Sequence, residues 1–346
     1  VKHPAPRVDS LIVELTRACD HDCLHCYNVW KNRAPYPPGP ELDTAGLLDL
    51  LGRVVEEEGL TQITLSGGEP LLRPDLPEIV DWLCARGLGV TLITNGRRLD
   101  AATIDRLGAR RVGVWELPLL AVSRALHDRL SGRAGAFDRA TEAMVDLKLA
   151  GATVAGVFVM TRLNLPELPQ VMELAKALGL DALMLNRFNP GGRGAEHLEL
   201  LQAAPGELAA AFAQAERLSG ELGLELATGV PVPPCLVDTT GLRRLAFGAC
   251  AAGGERAYYT LDPSGRLRPC NHSPTILADL RVETFAAARA SVALRTFRAA
   301  RPALCDGCVL ADSCQGGCKA AAEVCAGALD APDPFLAAYA HLRRRL

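Results

Sequence analysis

Three cysteines stand close together early in the chain: Cys19, Cys23 and Cys26, in Cys19-Asp20-His21-Asp22-Cys23-Leu24-His25-Cys26. Thiolates favour soft metals, and iron–sulfur clusters are commonly held by cysteine. A cubane cluster has four irons, so three cysteines leave one iron open to a ligand that is not protein. The competing reading is a zinc site completed by His21 or His25. Further on, Ser66-Gly67-Gly68-Glu69-Pro70 offers a second kind of chemistry. Its glycines let backbone groups approach a ligand closely, and Glu69 adds a carboxylate able to hold an ammonium group. Alone the segment reads as an ordinary tight turn. One strand after a three-cysteine loop, it reads as part of a binding site.

The elements that must position these residues alternate between short apolar runs and amphipathic runs. Residues 10–16 read as a strand, followed by a helix from Thr44 capped by Asp43 or Thr44 itself. "TQITLS" is the next strand. "PDLPEIVDWLCARG" then places Leu76, Ile79, Val80 and Leu83 on one helical face and ends at Gly87. The rhythm continues to "DALMLN", giving six βα-type units up to about residue 228. Such alternation implies a parallel sheet with helical crossovers. The expected fold is α/β, a partial (β/α)6 TIM-like barrel over 1–228, then a proline-rich linker over 229–249. A small cysteine-rich domain follows over 250–346, ending in a capping helix, "PDPFLAAYAHLRRRL".

Parallel β/α folds put function at the C-terminal ends of their strands. The unusual stretches all fall there. The cysteine triplet follows strand 1, Ser66 to Pro70 strand 2, and Thr94-Asn95-Gly96 strand 3. Asn186-Arg187 and "NPGGRG" follow strand 6.

Bulk properties exclude several classes. The net charge is −3, and the dense basic run is Arg343-Arg344-Arg345 at the end, which argues against nucleic acid or an anionic membrane as partner. No segment reaches the apolar length of a membrane span, and the start lacks the apolar core of a signal peptide. A cytoplasmic protein is expected. Its twelve cysteines then read as metal or cluster ligands, because cytosolic thiols stay reduced.

Cys19-x3-Cys23-x2-Cys26 followed by Gly67-Gly68-Glu69-Pro70 resembles the radical SAM enzymes, over about residues 9–200. The resemblance implies a [4Fe-4S] cluster on the three cysteines, with His25 in the aromatic slot before the last. It implies S-adenosylmethionine (SAM) chelating the open iron, and the GGEP segment contacting the methionine amine. Reduction then cleaves SAM to a 5′-deoxyadenosyl radical that abstracts hydrogen from substrate. Many members carry Ser-Leu-Asp-Gly after strand 4; Pro118-Leu119-Leu120-Ala121 stands there in this chain. No SAM role is carried over to that segment. His127, nearby, is expected to be a structural turn or helix-start residue.

The later cysteines resemble the SPASM extension of that family. Cys250, Gly265 and Cys270 are followed by Cys305-x2-Cys308-x5-Cys314-x3-Cys318. The resemblance implies two auxiliary iron–sulfur clusters, [4Fe-4S] in type. Cys250, Cys270 and Cys318 would hold the first; Cys305, Cys308 and Cys314 the second. SPASM chains usually carry a last cysteine just after Asp-Pro, where Phe335 follows Asp333-Pro334 here. Cys235 is then expected to complete the first cluster and Cys325 the second. That leaves Cys84 as a buried structural thiol. Zinc remains the competing metal, since CxxC pairs are common in zinc ribbons.

SPASM relatives mostly modify peptides. The expected activity is therefore oxidative modification or crosslinking of a ribosomally made precursor peptide. The chain starts too close to strand 1 for a leader-recognition domain, so a separate leader-recognition protein is expected, with an external donor such as flavodoxin or ferredoxin. The alternatives are a tetrapyrrole-modifying enzyme, a sulfatase-maturase-like protein oxidase, and an electron-transfer scaffold. Asn271 and His272 follow Cys270, where the sulfatase branch has Asp; Asn cannot take up a proton, and His272 is the candidate base.

Overall fold

The computed structural model describes residues 8–32, 34, 36–247, 250–252 and 257–342. Its main body is seven parallel strands: β1 (Ser10–Glu14), β2 (Gln62–Ser66), β3 (Gly89–Ile93), β4 (Val114–Pro118), β5 (Val154–Met160), β6 (Ala182–Arg187) and β7 (Glu225–Ala227). They lie side by side in chain order. The crossovers carry α1 (Thr44–Glu58), α2 (Leu76–Ala85), α3 (Ala101–Leu107), α4 (Arg124–Ser131), α5 (Ala136–Leu149), α6 (Leu168–Ala177), α7 (Leu198–Leu201) and α8 (Pro205–Leu222).

Local chemistry explains these elements. Asp43 caps α1 by accepting a hydrogen bond from Gly46 N at 2.8 Å. In α2 the expected face, Leu76, Ile79, Val80 and Leu83, is fully buried. Each such side chain contributes ~1.5–3 kcal/mol. Cys84 departs from expectation: it is half-buried at the rim of that face, its Sγ 3.6 Å from Arg111 O. The strands alternate. Leu11, Val13, Ile63, Leu65 and Phe158 are buried, while Ser10, Ile12, Thr64, Val157, Met184 and Asn186 face a central cavity. The sheet is open, with β7 at one edge, so the expected partial barrel is present with a seventh strand. Three further helices, α4, α7 and α8, were not anticipated.

The C-terminal part shares the same sheet. β8 (Tyr259–Leu261) pairs in parallel with β1, Leu11 opposite Tyr259 and Val13 opposite Leu261. β9 (Arg266–Arg268) and β10 (Ala278–Asp279) extend it antiparallel, making ten strands. A buried ion pair reinforces this seam: Arg268 Nη2 donates to Glu14 Oε2. Arg268 Nη1 also donates to Ser273 O (2.9 Å) and Asn271 O (3.1 Å), so one guanidinium ties β1 to the loop after Cys270. The proline-rich passage is packed, with Val232, Leu236 and Val237 in the core. Then come α9 (Phe285–Ala290), α10 (Val292–Ala299), α11 (Ala311–Cys314), α12 (Lys319–Ala326) and α13 (Pro334–Ala338). The expected capping helix is thus short, and Arg343 to Arg345 lie outside the described residues.

Candidate active site

The cavity at the C-terminal ends of the strands measures about 470 Å³. Cys19, Cys23 and Cys26 line one side of it, with Ser66, Gly67, Gly68 and Glu69, Thr94 and Asn95, and Asn186 and Arg187 from the neighbouring strand ends. Tyr258, Asn271 and His272 enter from the C-terminal part. Six separate stretches of sequence thus meet at one place.

The cysteine loop is held by backbone packing. Gly68 N donates to Thr16 O (2.7 Å) and Glu69 N to Ala18 O (2.8 Å). A Cβ at Gly68 would lie 2.0 Å from Ala18 O, so only glycine allows this approach. Asn28 Nδ2 donates to Gly67 O at 3.0 Å, tying the far end of the loop to the same turn. The "NPGGRG" stretch braces the loop from outside. Gly194 N donates to Cys26 O (2.9 Å), and Arg193 pairs with Asp22. Gly192 adopts φ +50°, where a Cβ would meet Cys26 O at 2.7 Å. Asp20 accepts from Asn95 Nδ2 (2.8 Å) and Arg98 Nε (3.2 Å). Sequence reasoning missed Asp20, Asn28 and Arg193, because their partners are remote in the chain.

Glu69 is 1% exposed, and its carboxylate already accepts three hydrogen bonds: from Leu71 N (3.0 Å), Thr94 Oγ1 (2.7 Å) and Asn95 N (2.8 Å). It therefore clamps the ends of β2 and β3 together, and one acceptor position remains for a ligand. Burial pushes its proton affinity up to about 7. Pro70 opens the short turn that this carboxylate caps. Gly96 N donates to Thr94 Oγ1 at 3.2 Å, so Gly96 acts on the site through Thr94.

The residues fit a three-thiolate cluster with a ligand on its open iron. Burial raises all three thiols, Cys19 to about 11, so they hold their protons until a metal replaces them. Burial lowers His21 and His25 to about 4, leaving neutral rings. Both nitrogens of His21 and Nδ1 of His25 are buried without a hydrogen-bond partner, an unmet demand in the wall of the site. Among the described residues no three His, Cys, Asp or Glu side chains group closely enough for a single metal ion. The segment from Pro118 to Ala121 is apolar. Leu119, Leu120 and Ala121 are buried, and Pro118 O lies 3.4 Å from Nε2 of His127, a fully buried residue inside α4.

Two expected site residues have other partners. Arg187 is 2% exposed and donates through Nη2 to Asp333 Oδ2 (2.5 Å) and through Nε to Pro231 O (2.6 Å). Asp333 Oδ2 also accepts from Cys318 N at 2.9 Å. Arg187 thus links the end of β6 to the later cysteines. Asn186 Oδ1 accepts from Gly229 N at 2.6 Å, fixing the start of the proline-rich passage. His272 stacks on Tyr27, ring centroids 4.2 Å apart, with its Nδ1 3.2 Å from Asn189 Nδ2. Burial, then Arg268 and Arg187, push it down to about 3, which opposes proton uptake. Glu116 is a second carboxylate in the cavity wall that sequence reasoning passed over, raised by burial. Only its place on β4 could have pointed to it.

The later thiols form two groups. Cys250, Cys270 and Cys318 pack with Ala252, Tyr258 and Phe297, and Asn189 Nδ2 donates to Cys318 Sγ at 3.2 Å. Cys305, Cys308 and Cys314 line a small apolar pocket with Cys235 and Leu336. Cys235 was expected beside the first group and lies with the second. Cys325, expected to complete the second, is exposed on α12.

Residues 13–175 match the family model described as the Radical SAM superfamily. The chain is also 31% identical over 333 residues to mycofactocin maturase MftC of Mycobacterium ulcerans, covering 93% of this chain and 85% of that protein. The chain belongs to the radical SAM superfamily. It is an enzyme of a family that uses a [4Fe-4S] cluster and SAM. It is 29% identical over 335 residues to the PqqA peptide cyclase of Granulibacter bethesdensis, covering 94% of this chain and 86% of that one. The crystal structure of Streptococcus suis SuiB shares the fold of this radical SAM chain, with a TM-score of 0.74 at 15% identity over 95% of this chain and 77% of SuiB. No helix among the described residues is long and apolar enough to cross a membrane.

Proposed function

We propose that this radical SAM enzyme oxidatively modifies or crosslinks a ribosomally synthesised peptide. The observation that carries the reading is the shared cavity, where the cysteine-triplet wall faces Tyr258, Asn271 and His272 from the cysteine-rich C-terminal part. The names of the relatives, peptide cyclase and maturase, favour a peptide over a tetrapyrrole. When bound to Cys19, Cys23 and Cys26, the cluster and SAM supply a 5′-deoxyadenosyl radical that takes a hydrogen atom from the substrate. Ser66 to Glu69 orient the methionyl end of SAM, Gly67 and Gly68 by close backbone approach and Glu69 by its remaining acceptor position. Thr94 and Asn95 hold Glu69 in place. The apolar wall from Ile12, Val157, Val159 and Met184 excludes water from a reactive centre.

In this reading Cys250, Cys270 and Cys318, and Cys305, Cys308 and Cys314, hold two auxiliary [4Fe-4S] clusters. Bound there, they would supply an acceptor for the second electron of a two-electron oxidation of the peptide. Radical formation itself consumes one electron, which calls for a flavodoxin- or ferredoxin-type donor. A separate protein that holds the peptide's leader is part of this reading. The reducing cytoplasm suits thiols that ligate iron. The deciding experiment is anaerobic turnover with SAM, dithionite and a candidate precursor peptide, read by mass spectrometry. A changed peptide mass supports the reading. An unmodified peptide, with the recognition protein present and SAM cleaved, overturns it.

A further inference from the structure

We propose that Cys235 is the fourth thiolate of the cluster held by Cys305, Cys308 and Cys314, supplied from upstream in the chain. The Cys250, Cys270 and Cys318 cluster is then left with three cysteines. The inference rests on the auxiliary-cluster reading above.

Three observations carry it. First, Cys235, Cys305, Cys308 and Cys314 all line one small pocket, together with Pro233, Pro234 and Leu336, and its exposed lining is apolar. Three of the thiols are set there by tight turns. Cys305 ends one such turn, Cys308 N donates to Cys305 O at 3.1 Å, and Cys314 ends α11 with its N donating to Leu310 O at 2.8 Å. Second, Cys235 is presented rigidly. Pro233 O accepts from Leu236 N (3.0 Å) and Val237 N (3.1 Å), so Cys235 sits inside a closed turn. Pro233 and Pro234 restrict φ on one side, and the buried Leu236 and Val237 anchor the other. Little conformational entropy is left to lose on binding metal. Third, the downstream chain reaches the same pocket without a donor. α13 places Leu336, 0% exposed, against it, while Cys325 is exposed on α12 and does not line it. Four thiolates close a [4Fe-4S] cluster. A dry, apolar enclosure protects such a cluster from water and oxidant.

The test uses the full chain, purified anaerobically, with Cys19, Cys23 and Cys26 all changed to Ala so that only the auxiliary clusters remain. Iron and sulfide analysis should give about eight irons per chain, two cubanes. Cys235→Ala in that background should lower the count to about four, or give a [3Fe-4S] electron paramagnetic resonance signal on mild oxidation. Cys235→Ser should keep the iron and shift that cluster's spectrum and potential. Cys325→Ala should change neither count nor spectrum. Adding Leu336→Cys to Cys235→Ala should restore the iron by bringing a thiol from the other wall. Alkylation of the parent protein gives a check that needs no variant: Cys235 should react only after chelation strips the iron, and Cys325 before. The proposal is overturned if Cys235→Ala and Cys235→Ser keep the parent's iron and spectrum, if Cys325→Ala causes the loss, or if Cys235 alkylates in the iron-loaded protein. A background protein holding no iron at all would instead sink the auxiliary-cluster reading itself.

Discussion

Glu69→Gln is the most informative single change at the SAM site, because the structure fixes both the sign and the size of its effect. The carboxylate accepts from Leu71 N and Thr94 Oγ1 at Oε1 and from Asn95 N at Oε2. A glutamine has one carbonyl oxygen, so its NH2 must face one of these donors. Left unpaired, Asn95 N costs ~1–3 kcal/mol. A second effect opposes the first. Burial lifts Glu69 from 4.5 to about 7, so the folded state favours the protonated acid. Its contribution to stability is fullest below pH 4.5 and is lost as pH rises through about 7. Of this, ~2 kcal/mol falls between about pH 5.5 and 8.5; glutamine does not titrate. Urea unfolding without SAM, under anaerobic conditions, should show the variant less stable at pH 5.5 and the gap closing by pH 8.5. A gap that stays constant or widens with pH would refute the burial-raised proton affinity of Glu69. The same ionisation predicts that SAM binds wild type more tightly as pH rises through about 7, with that trend lost in the variant. Equilibrium dialysis reads it directly.

Gly68→Ala should abolish SAM cleavage while the auxiliary clusters load normally, since its Cβ would lie 2.0 Å from Ala18 O; 5′-deoxyadenosine and iron assays separate the two. Asp333→Ala strands a buried Arg187 guanidinium and frees Cys318 N, and should cost ~3–5 kcal/mol, read as a lowered unfolding midpoint together with weaker iron loading. Arg268→Met leaves Glu14 buried and unpaired and should destabilise by a similar ~3–5 kcal/mol, which Glu14→Gln in the same chain partly restores. His272→Ala should leave the shape of the wild-type pH–rate profile unchanged over the neutral range, because a ring pushed down to about 3 contributes no ionisation there; loss in the variant of an inflection that the wild type shows would mark it as the base.

Features carried by short spacings and apolar period were legible in the sequence. The cysteine triplet, the Gly-Gly-Glu turn and the capped helices α1 and α2 are local, and the strand-end rule placed four of the site's segments without further help. The seam to the C-terminal part was not legible. β8, β9 and β10 are three, three and two residues long, too short for a period to show. Long-range pairing was equally hidden. Arg187 stood where a cofactor contact was expected, but its partner, Asp333, lies 146 residues away. Counting placed Cys235 with the first group, and the structure sets it beside Cys305, Cys308 and Cys314, since nothing in a spacing of cysteines says that a proline-rich turn folds back over residues 305–314. α8, in contrast, carries an amphipathic pattern from Pro205 onward that was open to reading and was passed over.

The most direct test of the account follows hydrogen itself. The candidate peptide, uniformly deuterated, is turned over anaerobically with SAM, reductant and the recognition protein, and the 5′-deoxyadenosine is analysed by mass. The account predicts one deuterium in the product nucleoside together with a modified peptide, both lost when Cys19, Cys23 and Cys26 are changed to Ala. Deuterium-free 5′-deoxyadenosine beside a modified peptide would contradict it.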